Sequence, residues 1–172
     1  YLLMEFFAIY NVLGSVKEAK NKNFKKIVAL SIFSGTSICL LFFLIAVVQV
    51  KPFYNPQYLI PLGGMIIGNS MTAVNLALKT MIDGMKNQRE RIEASLMLGA
   101  SKRAAMDEII QESFDTAFLP TLNSMKNMGI ISLPGMMTGQ ILSGISPMVA
   151  IKYQIAIMIA IMASVSICVF LF

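Results

Sequence analysis

The 172-residue chain contains no tryptophan and no histidine, and only 13% of its residues are charged. Hydrophobic residues make up 56% of it, and its mean hydropathy is +0.71. A water-soluble domain of this length needs more charge to cover its surface, so the composition indicates a membrane protein. The absence of histidine, together with only nine acidic residues, also leaves few ligands for a conventional metal site.

Motifs of catalysis are missing as well. The sequence has no GxxxxGK[ST] phosphate-binding loop, no HExxH zinc motif and no GxSxG nucleophile motif. We therefore do not expect an enzyme, and in particular not a chain that hydrolyses ATP through a phosphate-binding loop. Cys39 and Cys168 lie inside apolar runs and have no CxxC spacing, so we interpret both as buried hydrophobic side chains.

The apolar residues fall into long runs separated by short charged segments. Ile27 to Val50 contains 24 residues without a charge, which exceeds the roughly 20 that cross a bilayer. Tyr58 to Leu78 and Ala150 to Phe172 predict two further spans, and Tyr1 to Val16 predicts the last part of another. Because both ends of the chain lie in apolar segments, we expect residues 1–172 to form one transmembrane domain that is truncated at both ends.

Small residues and proline indicate where the helices pack closely or break. Ser31 to Ser37 is rich in small side chains, and Gly64-x-x-x-Gly68 is a small-xxx-small pattern, both typical of close helix packing in membranes. Pro134 and the glycines around it predict a broken or re-entrant segment near residues 131–147. The predicted fold class is all-α, a polytopic helical membrane protein.

The basic residues predict an orientation. Of the 14 Lys and Arg residues, 11 lie between Lys17 and Lys26 or between Lys79 and Arg103. An even number of predicted crossings separates these segments, so the positive-inside rule places both in the cytoplasm and Lys51, in the turn KPFYNPQ, outside. Confinement of the basic residues to short segments between spans also argues against a nucleic-acid partner.

The charged segment of residues 79–112 predicts a cytoplasmic helix-turn-helix, which we call the elbow. Arg89 and Glu93 are four residues apart and are expected to pair on its surface. Gly99 is expected to end the first helix, and Ser101 to cap a second that runs from Lys102 to about Phe114. From its residues alone, the elbow could be an amphipathic segment that rests on lipid or a docking element for a soluble partner. Its mixture of positive and negative charges favours docking.

The spacing within the elbow resembles a known signature. Glu93-Ala94-Ser95, then Gly99 after three residues and Ile109 after nine more, is similar to the EAA motif of ABC transporter permeases, although Gln111-Glu112 replaces the usual Leu-Pro. In those permeases this segment forms a coupling helix that docks in a groove of a cytoplasmic ATPase. The resemblance therefore implies an ATPase-coupling role for eight residues: Arg89, Glu93, Ala94, Ser95, Leu96, Gly99, Ala100 and Ser101.

Two other stretches, Pro120 to Gln154 and Ile60 to Val74, resemble the FetB family of iron-export ABC permeases, and the resemblance covers essentially the whole chain. It implies a non-catalytic permease subunit that exports iron or a related metal by alternating access. Two copies of the permease would stand above two ATPase subunits, which would bind ATP and Mg²⁺, while this chain would bind no cofactor. The implied location is the inner (plasma) membrane of a bacterium, with several crossings.

The substrate path is expected among polar and thioether side chains of the central spans: Asn69, Asn75, Asn123, Lys126, Met136 and Gln140. Lys126 lies 11 residues after Asp115, about 16 Å along a helix, so its ammonium group is expected inside the bilayer. It would contact the substrate or a counter-charge, or equally carbonyls freed at Pro134. For the methionines, ordinary helix packing is the stronger alternative, and no metal ligands are assigned.

Glu5 is the other charged residue inside an apolar run. A carboxylate at membrane depth is costly and by default functional, unless it lies near an interface or faces a neighbouring helix. Two alternatives to metal export also stay open. One is an ABC permease for a different substrate, import included, and the other is a membrane scaffold without transport.

The predicted orientation is testable at Asn55. A cysteine placed there should react with a membrane-impermeant thiol reagent added from outside the cell, because the turn between the two complete spans is expected to face outward. Reaction only from the cytoplasmic side would overturn the predicted topology.

Overall fold

The computed structural model describes residues 1–15, 22–48, 56–131 and 133–171. This part of the chain is helical and contains no β-strand, which confirms the all-α prediction. The predicted cytoplasmic lysines Lys17 and Lys20 and the turn from Lys51 to Asn55 lie outside the described residues. The helices are α1 (Leu2–Ser15), α2 (Lys22–Phe43), α3 (Pro56–Asn87), α4 (Arg89–Met97), α5 (Lys102–Asn127), α6 (Gly135–Leu142) and α7 (Pro147–Leu171), and a π-helical turn (Leu44–Val48) follows α2.

Within the described part, three helices are long and apolar enough to cross a membrane. They correspond to Phe24–Val47, Tyr58–Asn87 and Pro147–Leu171, which confirms the three spans predicted from hydropathy. Helix α1 is apolar but has only 14 residues. Helix α3 does not end at Leu78, where the composition changes, but continues to Asn87. The protein is therefore a multi-pass helical membrane protein.

Helix α5 is longer than the sequence suggested. It does not end near Phe114 but continues through Pro120 to Asn127, so the predicted end was wrong. A change from charged to apolar composition does not stop a helix, and α5 presents one continuous buried stripe on both sides of that change. The stripe repeats every four residues, which keeps it on one helix face. Its members are Ile109, Ser113, Ala117 and Thr121.

Helices α2 and α7 approach each other closely at Gly35. A Cβ atom at this position would lie 2.5 Å from Cys168 Sγ, so only glycine fits without a shift. Nearby, the Cys39 thiol donates a hydrogen bond to the Ala160 carbonyl oxygen at 2.9 Å. Both cysteines are buried and free, as predicted, and the cluster of small residues in α2 does bring a second helix close.

A second close approach joins α3 to α5 at Gly84. A Cβ atom there would lie 2.8 Å from Ile109 Cγ2. The Gly64-x-x-x-Gly68 pattern, by contrast, marks no close contact within the described residues, since Gly64 has only Met4 within 4.0 Å and Gly68 has nothing. The pattern shows which side chains are small but not which helix face meets a neighbour, so close packing at this pattern stays a prediction.

The predicted break between α5 and α7 is present. Helix α5 is followed by Gly129, whose φ of 80° favours glycine, and α6 begins directly after Pro134. Gly144, with φ 90°, ends α6 before α7 starts at Pro147. The chain thus inserts one short helix between its last two long ones.

The Gly35 contact predicts a stability difference between two glycines of the bundle. Gly35→Ala should lower the free energy of unfolding by about 1–3 kcal/mol, because the new methyl group overpacks the α2–α7 contact. Gly68→Ala, on the open face of α3, should be neutral or stabilising by up to about 1 kcal/mol. Thermal unfolding of the full-length protein in detergent checks both, and equal effects of the two substitutions would contradict the packing described.

Candidate functional site

The first helix of the elbow is a continuation of α3. The Gln88 amide donates to the Gly84 carbonyl oxygen at 2.9 Å, and the Ile92 amide donates to the Gln88 carbonyl oxygen at 3.0 Å. Helical hydrogen bonds therefore run across the short turn at Gln88 that separates α3 from α4. A displacement of α4 would be transmitted directly to a helix that is long enough to span the membrane.

The turn of the elbow has the predicted caps. Gly99 has φ 88°, and its amide donates to Leu96 O at 3.1 Å while the Ala100 amide donates to Ser95 O at 3.0 Å. This pair of bonds is the Schellman arrangement, which ends a helix at a glycine. Ser101 then caps α5, because its hydroxyl oxygen accepts a hydrogen bond from the Ala104 amide at 3.2 Å. The turn is therefore fixed by its own backbone.

Two ion pairs of the described chain involve the first elbow helix. Arg89 Nε lies 2.7 Å from Glu93 Oε1, as the spacing predicted, and this hydrogen bond raises the pKa of Arg89. Arg91 Nη2 lies 2.5 Å from Glu108 Oε2 and joins α4 to α5. Sequence reasoning missed the second pair because its members lie on different helices, where no local spacing rule applies. All four side chains are largely exposed, so the pairs orient the elbow more than they stabilise it.

The tip of the elbow carries large apolar side chains in an exposed position. Met97 is 87% exposed and Leu98 is 89% exposed, and Leu96 beside them is 39% exposed. None of the residues of α4 is buried. An apolar tip held on a braced, charged helix pair is the kind of surface that a protein partner covers.

The opposite end of the bundle contains a chamber of about 380 Å³ between α3, α6 and α7. Met136 and Gln140, two of the predicted substrate-path residues, meet there. The Gln140 Oε1 atom is buried and has no hydrogen-bond partner. Other lining residues were not assigned to the substrate path from the sequence, since they come from separate elements; among them are Tyr58, Met65, Ser143 and Tyr153.

The other predicted substrate-path residues lie elsewhere. The Asn69 amide bonds within its own helix, to Met65 O at 2.7 Å. Asn75 lines a separate cavity of about 350 Å³ beside Lys79 and Asp83, near the elbow end of α3. Asn123 and Lys126 are exposed on α5. The structure therefore does not gather these four residues around the chamber, and their part in transport stays a prediction.

The chamber is lined by neutral groups. It offers phenol and alcohol hydroxyls, an amide and two thioethers, and no charged side chain is among its described lining residues. The described residues also contain no group of three or more His, Cys, Asp or Glu side chains that could hold a metal ion. Such a lining suits weak and reversible contact with a solute more than tight retention of an ion.

A family model described as "Uncharacterised protein family (UPF0014)" matches residues 1–172. The protein belongs to this family. The match spans the whole chain, elbow and chamber included, and it confirms the resemblance to the iron-export permeases, because a FetB protein is among the relatives.

Three relatives show the range of UPF0014-like proteins. The chain is 42% identical over 134 residues to "Protein ALUMINUM SENSITIVE 3" of Arabidopsis thaliana, covering 78% of this chain and 48% of that protein. It is 39% identical over 133 residues to "UPF0014 membrane protein slr1647" of Synechocystis, covering 77% and 51%. It is 32% identical over 170 residues to "Probable iron export permease protein FetB" of Escherichia coli (strain K12), covering 96% and 63%.

The chain thus spans about half to two thirds of the length of these relatives. No solved structure matches it.

Side chains that line the chamber are predicted to be accessible to water. In a variant without Cys39 and Cys168, cysteines at Met65 and Gln140 should react with a small water-soluble thiol reagent, because both side chains line the cavity. A cysteine at Ile66, next to Met65 but only 1% exposed, is the matched control and should react far more slowly. Equal protection of all three cysteines, measured by mass spectrometry, would show that the chamber is closed to water.

Proposed function

We propose that this protein is a permease subunit of an ATP-driven ABC transporter and that the elbow is the docking element for a cytoplasmic ATPase subunit. The exposed apolar tip, Met97 and Leu98, is the observation that carries this proposal. Apolar side chains of this size are costly in water unless a partner covers them. The surrounding charges, Arg89, Arg91 and Glu93, would give the contact its orientation and specificity.

The connections of the elbow support a coupling role. Helix α4 continues the hydrogen-bond ladder of α3, and the Arg91–Glu108 ion pair ties it to α5. A force applied at Met97 and Leu98 would therefore act on two helices of the bundle at once. ATP binding would draw two ATPase subunits together, and the elbows of two permease copies would follow, which tilts the spans between inward-open and outward-open states.

For the cargo we propose iron or a related metal, moved outward across the inner (plasma) membrane of a bacterium. The name of the Escherichia coli relative, "Probable iron export permease protein FetB", supports this assignment. The chamber supports a transport route, because Gln140, Tyr58 and Tyr153 offer oxygen atoms at one end of the bundle. ATP and Mg²⁺ would bind to the ATPase subunits, and this chain would act without a cofactor of its own.

The docking proposal predicts the effect of charge at the elbow tip. Met97→Asp combined with Leu98→Asp should weaken co-purification of the full-length permease with its ATPase by about tenfold or more, because carboxylates would replace the apolar contact. ATP-dependent iron release from cells should fall in parallel.

Leu142→Asp is the matched control, since Leu142 is 83% exposed but lies on α6, at the opposite end of the bundle. It should leave ATPase co-purification unchanged. Retention of ATPase binding and of transport by the double elbow variant would refute the docking role.

A further inference from the structure

Glu5 is a carboxyl group enclosed by the helix bundle. Its side chain is only 1% exposed. Among the described residues no Lys or Arg forms an ion pair with it. Of the alternatives left open for Glu5, the structure shows that it faces a neighbouring helix, because the Thr36 hydroxyl of α2 donates a hydrogen bond to Glu5 Oε1. A buried carboxyl without a positive neighbour needs an explanation beyond packing.

The contact with Thr36 fixes the depth of Glu5 in the membrane. Thr36 lies near the middle of the 24-residue candidate span Phe24–Val47. The middle of such a helix is about 18 Å from either end, at 1.5 Å per residue, so Glu5 lies near the centre of the hydrocarbon core. An ionised carboxylate at this depth requires a positive counter-charge.

Two hydroxyl groups contact the carboxyl, those of Tyr1 and Thr36, and the Ser37 hydroxyl contacts the hydroxyl of Tyr1. The Tyr1 hydroxyl donates to Glu5 Oε1 at 2.5 Å and lies 2.9 Å from Ser37 Oγ. The Thr36 hydroxyl contacts the same Oε1 atom. Glu5 Oε2, by contrast, is buried and has no hydrogen-bond partner, so one carboxyl oxygen in this set is left unused.

The ligand atoms around Glu5 favour a hard cation. All the atoms that could bind a metal in this group are oxygen atoms, which hard cations such as Mg²⁺, Mn²⁺ and iron ions accept as ligands. Both described cysteines bond elsewhere, Cys39 to Ala160 O and Cys168 toward Ile32 O. A single carboxylate with hydroxyls binds more weakly than a closed metal cage, and a transported ion must also be released.

We propose that Glu5, with Tyr1, Thr36 and Ser37, is a transient binding site for a hard divalent metal cation at the centre of the membrane. The site rests on the proposed function, since it would hold the exported metal midway through transport. Glu5 Oε2 would supply the first oxygen ligand, the Tyr1 and Thr36 hydroxyls that contact Oε1 would supply others, and water would complete the oxygen set around the ion.

The test uses the full-length permease assembled with its ATPase. Without nucleotide, electron paramagnetic resonance counts bound Mn²⁺ as a probe for hard divalent cations. In liposomes, ATP-dependent Fe²⁺ flux is measured on the same preparations. Glu5→Gln keeps the shape and burial of the side chain but removes its charge, so it should lower Mn²⁺ affinity and Fe²⁺ flux by about tenfold or more while ATPase co-purification is unchanged.

Ser31→Ala is the matched control, because Ser31 is also buried in α2 and its hydroxyl donates to the Ile27 carbonyl oxygen of its own helix. It should leave both quantities within about twofold of the unmodified protein. Thr36→Val, which removes one hydroxyl at nearly constant volume, should weaken Mn²⁺ binding in the same direction as Glu5→Gln, and it decides the matter if Glu5→Gln does not fold.

The outcomes separate the site from the proposed function. Unchanged Mn²⁺ binding in Glu5→Gln and Thr36→Val, with normal Fe²⁺ flux, would overturn the site and leave metal export standing. Absence of Mn²⁺ binding to the unmodified protein would also overturn it. Absence of ATP-dependent metal flux in the unmodified protein would overturn the proposed function. Even then, if Glu5→Gln lost the Mn²⁺ binding that the unmodified protein shows, a cation site at Glu5 would still be supported.

Discussion

Ile109 occupies the space that a side chain at position 84 would fill, and this contact fixes the elbow to the bundle. Gly84 lies on the last turns of α3 and Ile109 near the start of α5, so the two helices are locked together just before they leave the bundle as the elbow. Cores resist small changes in volume, so this contact moves as a unit. The tip at Met97 and Leu98 is thereby held on a rigid base rather than on two independent chains.

Helix α3 joins the two ends of the molecule that matter for the proposed transport. Met65 lines the chamber and Arg89 begins the elbow helix, 24 residues later and therefore about 36 Å away along a helix. Because helical hydrogen bonds persist across Gln88, no flexible linker separates these ends. A change at the elbow would rotate or tilt α3 as a whole, and the chamber that Met65 lines together with residues of α6 and α7 would change shape with it.

Much of this arrangement could be predicted from the sequence, and the errors have a common cause. Hydropathy predicted the three long spans, and Gly99 and Ser101 predicted the elbow turn, because these signals are local. The Arg91–Glu108 ion pair and the meeting of Tyr58 with Tyr153 in the chamber depend on which helices become neighbours, and no local pattern encodes that. For the same reason the Gly64-x-x-x-Gly68 pattern does not show which helix it meets, while Gly84 makes a close contact with Ile109.

The bilayer requires the two ends of this protein to use different chemistry. At the elbow, water screens exposed charges, so pairs such as Arg89–Glu93 add specificity at little cost. Inside the bundle the same charges would be costly, and the chamber accordingly uses Gln140, tyrosines and methionines. Glu5 is the exception, since its unpaired Oε2 atom lies where a positive charge would gain most from it. Specificity for a partner and specificity for a cation are therefore expected to respond to separate sets of substitutions.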